Sequence, residues 1–368
     1  KTPTINDRSE IYLDTCASKL WPSKPYNKLK NLINFHSLSV DPGNFDNLSS
    51  INPGLYWLSD DLLNTTQIRV GYSYNGDTRG SEYLASVTYQ QLFPKLSLDY
   101  RNLAQVGTAR IAGGTPEPPV GLRWREHITT LRMEIPLTFQ QLNHVFSTGI
   151  SAATSYTQRY GLNEPQFNDR FIDRIRFPLH YQLYFNHAVR QSALDLAPRW
   201  GQYVSLTYRH LPFTERVAGE YLALRTAFYF PGLARNHSFL VRFNIQQHNG
   251  SFALANEIPL VSGYDQLKPL PVDNTLLFNY RFPMAYPDWA IGPLAYIKRF
   301  KGGLFADFQN VGAGSSFQPR TFGIEVRSDM NLLRFYLPNF DIGAKLVFTT
   351  EGGAPRRMFV TYGIGYSY

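Results

Sequence analysis

The chain has 368 residues, of which 15% are aromatic (24 Tyr, 26 Phe, 5 Trp) and only 17% charged, with a mean hydropathy of −0.28. That average, with no uninterrupted apolar run near the length a bilayer demands, excludes an ordinary transmembrane helix. The net charge of +8 is spread singly and not in basic blocks, which argues against a nucleic-acid partner, and the single cysteine, Cys16, excludes an intramolecular disulfide framework.

Residues 1–53 read as an irregular N-terminal segment, polar and rich in Pro and Asn, whose stretch 31–40 is a short strand or a piece tucked into the rest of the fold. His36 has no second ligand at metal-binding spacing. The chain begins at Lys1 without Met or an export signal, which points to a mature product or a fragment of a longer chain.

From residue 54 the pattern has period two, the signature of strands with one apolar and one polar face. Ile68, Val70, Tyr72 and Tyr74 alternate with Arg69, Gly71 and Ser73, and Asn75-Gly76-Asp77 supplies a turn. Tyr83, Ala85, Val87 and Tyr89 lead back to a Phe93-Pro94-Lys95 turn, and Leu96, Leu98 and Tyr100 go out again. Residues 104–121 read as a long loop. Further strands are expected at 122–136, 143–158, 175–187, 202–210, 220–230 and 237–247. Short joins, 136–142 and 231–236, alternate loosely with long ones, 159–174 and 189–201. Trp57, Trp124, Trp200 and Trp289 fall near strand ends, as an interfacial belt requires.

The last stretch shows the alternation most clearly. Met358, Val360, Tyr362, Ile364, Tyr366 and Tyr368 share one face, while Phe359, Thr361, Gly363, Gly365 and Ser367 share the other. An aromatic strand with one oily face suits a transmembrane barrel, where that face meets lipid and Arg69, Asp99, Arg101, Arg242, Arg327 and Arg357 meet a wet lumen. The reading is an all-β protein: a single transmembrane antiparallel β-barrel over residues 54–368, in the bacterial outer membrane. His127, His144, His180, His187 and His210 come with no nucleophile frame. The sequence therefore offers no catalytic, cofactor-binding or metal-binding set, and no enzyme is expected.

The final third carries short motifs in a definite order. Val261-Ser262-Gly263-Tyr264 opens a long loop, followed by Tyr280-Arg281-Phe282-Pro283, then Phe305-Ala306-Asp307 and Gly323-Ile324-Glu325-Val326-Arg327, then two more strands. This order resembles the barrel of the BamA/TamA insertase and two-partner-secretion translocator superfamily. The resemblance implies about sixteen strands and a sixth external loop whose Val-Arg-Gly-Tyr/Phe tip folds into the lumen. It also implies a role in outer-membrane protein assembly or translocation, alone or with periplasmic or outer-membrane subunits. The alternative is a passive pore or an anchor barrel. The aromatic C-terminal strand, Tyr362 to Tyr368, resembles the signal read by the outer-membrane assembly machinery. Gly363 and Gly365, beside Ile364 and Tyr366, either loosen a closing seam or relieve crowding in the lumen. Two positions depart from the family: Ser262 stands where it has arginine, and Gln309 where a glycine follows the aspartate. With that arginine gone, Arg327 is expected to pair with Asp307.

Overall fold

A computed structural model describes residues 27, 35–41, 54–75, 78–109, 120–169, 171–192, 194–213, 219–250, 257–268, 270–312, 318–332, 339–350 and 358–367. Its seventeen strands are β1 (Phe35–Asp41), β2 (Gly54–Asp60), β3 (Thr66–Asn75), β4 (Gly80–Tyr89), β5 (Lys95–Ala109), β6 (Val120–Gln141), β7 (His144–Tyr160), β8 (Arg174–Val189), β9 (Gly201–His210), β10 (Gly219–Pro231), β11 (Ser238–Gly250), β12 (Asn274–Ala285), β13 (Trp289–Ile291), β14 (Ala295–Gln309), β15 (Thr321–Leu332), β16 (Asn339–Thr349) and β17 (Met358–Ser367). Each strand pairs antiparallel with its successor, except that β12 pairs with β14 and the three-residue β13 forms a small hairpin on β14. Without β13 the strand number is the one the family resemblance implies.

Burial is inverted relative to a water-soluble sheet. The apolar side of the strands is exposed, as at Val70 and Tyr72, Leu131 and Met133, Leu183 and Phe185, Ile324 and Val326, and Met358 and Val360. The opposite side is buried and polar, with Ser205 and Thr207 on β9, Asn244 on β11, Thr275 on β12, Asp307 on β14 and Glu325 on β15. A period-two strand can hide its polar face and show its apolar face only where lipid stands outside and a polar lumen within.

The sheet curls. Tyr264, in the connection 251–273, packs against Tyr221 and Ala223 of β10 through one cluster and reaches Phe359 of β17 through another. At the opposite rim the connection 190–200 reaches β14, where the Arg299 guanidinium donates to the Leu194 and Asp195 carbonyls at 3.4 and 3.2 Å.

One rim carries the connections 61–65, 90–94, 142–143, 190–200, 232–237, 286–294 and 333–338; the other carries 42–53, 76–79, 110–119, 161–173, 211–218, 251–273, 310–320 and 350–357. The second set is mostly longer. Several first-rim turns reverse through a residue with positive φ, Leu142 at 54° and Asn236 at 64° among them.

Four local expectations are corrected. Residues 136–142 are not a join: β6 runs through Pro136, paired with Gly149, and turns only at Leu142 and Asn143. The supposed loop 104–121 is strand at both of its ends, since β5 extends to Ala109 and β6 starts at Val120, while 110–119 lie outside the described residues. Connection 189–201 lies on the rim of short turns, not on the other. Trp124 points inward, not to a lipid belt: its indole N–H donates to Glu126 at 2.8 Å, and Phe171 meets its ring edge-on at 5.7 Å. Cys16 and Arg357 lie outside the described residues, as does Tyr368.

Candidate functional site

The inner face of β12 and β14–β17 builds up row by row from the register. The first row is Leu277, Asp307, Thr321 and Thr349; the second is Asn279, Phe305, Gly323, Val347 and Phe359. The third is Arg281, Gly303, Glu325, Lys345 and Thr361, and the fourth is Pro283, Lys301, Arg327, Gly343 and Gly363. Successive rows lie about 7 Å apart, two residues along each strand.

Charge concentrates in the third row and below it. Glu325 is almost fully buried and takes the Arg281 guanidinium at 2.7 Å, with Arg327 Nε at 3.6 Å and Lys345 Nζ at 4.0 Å. The bridge to Arg281 crosses over β14 at Gly303, where an added Cβ would sit 2.6 Å from the Glu325 Cγ. Lys301 binds Asp329 at 2.7 Å and Asp341 at 2.9 Å, Arg327 binds Asp341 at 3.0 Å, and Arg299 also pairs with Asp329.

The first row instead holds the loop. Asp307 accepts the Ser262 backbone N–H at 2.8 Å, and Lys345 Nζ lies 3.4 Å from the Ser262 hydroxyl. Val261 is buried with Leu267 and Leu277, against Tyr264 and Phe359. Gly263 adopts φ 74°, the left-handed region, ahead of a 3₁₀ turn at Tyr264–Gln266. The Tyr264 hydroxyl donates to the Leu270 carbonyl at 2.8 Å, and the Arg320 guanidinium lies 5.6 Å from its ring centre.

Val261, Ser262, Gly263, Tyr264 and Asp307 are thus brought together, but Arg327 is not. The register sets Asp307 opposite Thr321 and Arg327 opposite Lys301, roughly 20 Å apart along the strands at about 3.4 Å per residue. The expected Asp307–Arg327 pair does not form; Arg327 serves Asp341 and Glu325, and a backbone N–H with Lys345 nearby takes the place at Asp307. On β17, Tyr362, Gly363, Ile364, Gly365 and Tyr366 pair with Ala344, Gly343, Ile342, Asp341 and Phe340.

Sequence reasoning missed a second anchor at the base of the loop. Tyr221 on β10 accepts the Glu257 N–H at 2.7 Å and donates to Gln246 at 2.6 Å. Gln246 in turn donates to the Val272 carbonyl, and the Glu257 carboxylate pairs with Arg209 of β9. Tyr221 and Gln246 carry a signal, since both occupy the inward register of their strands; Glu257 sits in a loop and carries none. The histidines divide: His127 stacks on Tyr160 at 4.6 Å, and His144 bonds His187 at 2.9 Å. Among the described residues no group of three or more His, Cys, Asp or Glu is placed to hold a metal ion.

Gly263 is tested by Gly263→Ala. The left-handed backbone alone is expected to cost roughly 1–2 kcal/mol. The new methyl would also meet the Phe359 ring at 2.3 Å. Adding Phe359→Leu should recover the steric part and leave the backbone part, as read by denaturant unfolding in lipid vesicles.

No protein-family model matches the chain, and no curated protein matches it. Solved structures do. CdiB from Escherichia coli superposes with a TM-score of 0.51 at 11% identity, over 89% of this chain and 61% of that one. CdiB from Acinetobacter baumannii gives 0.49 at 13% identity, over 90% and 59%. BamA from Haemophilus ducreyi lacking POTRA domains 1–3 gives 0.48 at 11% identity, over 89% and 69%. The chain spans about three fifths of the length of the two CdiB chains. In fold, the chain is an all-β antiparallel barrel similar in architecture to that of CdiB.

Proposed function

We propose that the chain is the membrane-spanning barrel of a bacterial outer-membrane translocator or insertase, acting in protein translocation or outer-membrane protein assembly. The observation that carries this reading is a loop tip of the superfamily pattern, docked on the inner wall through Ser262 and Asp307, inside a sheet whose apolar face is turned outward. The tip is held there by the Asp307 and Lys345 contacts to Ser262 and a small apolar cluster, and the base by Tyr221 and Arg209 on Glu257. That set of contacts is small enough for the loop to be a movable occupant of the lumen. In this reading β1 opens the barrel from within the N-terminal segment, and the rim of short connections faces the periplasm. The partners are outer-membrane lipid, client or subunit proteins, and the assembly machinery acting on the C-terminal strand.

Conductance in planar bilayers tests the reading. Wild type is expected to conduct little and intermittently, and Asp307→Ala, which leaves the Ser262 N–H unpaired, should give larger and longer openings. A wide, steady conductance in wild type that Asp307→Ala leaves unchanged would make the chain a passive pore instead.

A further inference from the structure

At the rim of short connections, an open pocket of about 400 Å³ is lined by Arg199, Pro231, Ala234, Arg235, Asn236 and His237. No acidic side chain lines it. Arg235 is exposed and has no carboxylate partner among the described residues, and Arg199 keeps only a loose one, Asp195 at 3.7 Å. His237 adds a third donor. Its Nδ1 lies 2.7 Å from the Tyr280 hydroxyl, which already accepts the Leu233 N–H at 3.2 Å. When the hydroxyl donates its own proton to Nδ1, the imidazole proton lies on Nε2, which then serves as the donor.

Directly below lies the outward face. Trp200 meets Phe230 edge-on at 5.6 Å, Phe230 meets Phe239 at 6.4 Å, and Phe239 stacks on Phe278 at 6.1 Å. Leu233, at the tip of the turn, is 95% exposed. Cationic and neutral donors therefore sit at one end of a continuous aromatic wall, at the depth where headgroup gives way to acyl chain.

We propose that this pocket binds the phosphate of an anionic phospholipid, with Arg199, Arg235 and His237 on the headgroup and the acyl chains along Trp200, Phe230 and Phe239. Guanidinium forks match phosphate oxygens, and the wall supplies an apolar contact that a free phosphate could not use. The proposal rests on the reading of the chain as a membrane barrel.

The test uses Trp200 as reporter, its fluorescence isolated by difference from Trp200→Phe. The chain is reconstituted in phosphatidylcholine vesicles carrying a small fraction of phosphatidylglycerol brominated on its acyl chains. Trp200 should be quenched at lower fractions of brominated phosphatidylglycerol than of brominated phosphatidylcholine. Arg199→Gln and Arg235→Gln should each weaken that preference about fivefold, and together abolish it. Both sites are solvent-exposed, so folding should be unaffected, as heat-dependent gel mobility would check. Equal quenching by the two lipids, or a preference that survives the double variant, would overturn the proposal. Displacement of the lipid by inorganic phosphate would assign the pocket to free phosphate and equally overturn it. If exposed Trp57 and Trp289 also escape quenching by every brominated lipid, the membrane reading itself has failed.

Discussion

Glutamine in place of Glu325 is expected to destabilise the barrel by about 3–5 kcal/mol, the usual cost of removing one partner from a buried ion pair. The carboxylate is 3% exposed and holds Arg281 at 2.7 Å, with Arg327 and Lys345 within 4.0 Å. Glutamine keeps the shape and one acceptor but removes the charge. Three cations would then face one another on the inner wall, with Asp341 and Asp307 as the remaining anions nearby. Because most of the cost is the uncompensated cation, the double change Arg281→Met with Glu325→Leu should cost less than Glu325→Gln alone. Denaturant unfolding in lipid vesicles reads both. A loss under about 1 kcal/mol for Glu325→Gln would mean that water screens the row as it screens a surface pair.

The strands were legible because alternation is a local property of the chain. Ile68 to Tyr74, or Met358 to Val360, declare their faces without knowledge of any partner, and the structure exposes Val70, Tyr72, Met358 and Val360 as that pattern requires. Pairing across strands is not local. Asp307 and Arg327 both read as inward residues on neighbouring strands, yet the register brings Thr321 to Asp307 and Lys301 to Arg327. That register depends on where the connection 310–320 releases the chain, which no residue type in β14 or β15 announces. Pro136 misled for a related reason. Proline ends most strands by withholding a ladder N–H, but here the strand simply continues past it opposite Gly149. The anchor at Glu257 could not be read at all, since a loop has no periodicity to assign an orientation. Trp124 shows the same limit: nearness to a strand end is visible in sequence, but its inward side is fixed by Glu126 and Phe171.

The central claim is that the outward apolar face meets lipid and not water, and depth is the variable that separates the two. Ile150 and Phe139 are nearly equally exposed, at 58% and 56%. Ile150 pairs with Ile135 and Leu183 within the long apolar stretch of β6–β8, whereas Phe139 pairs with Phe146 beside the turn at 142–143. The measurement is the unfolding free energy of Ile150→Arg and Phe139→Arg in lipid vesicles. In a bilayer the first should cost about 2–4 kcal/mol and the second about 0–1 kcal/mol, because a guanidinium is penalised at mid-depth and tolerated near the interface. A water-exposed sheet would leave both within about 0.5 kcal/mol of wild type, and equal small costs at the two positions would contradict the barrel's place in the membrane.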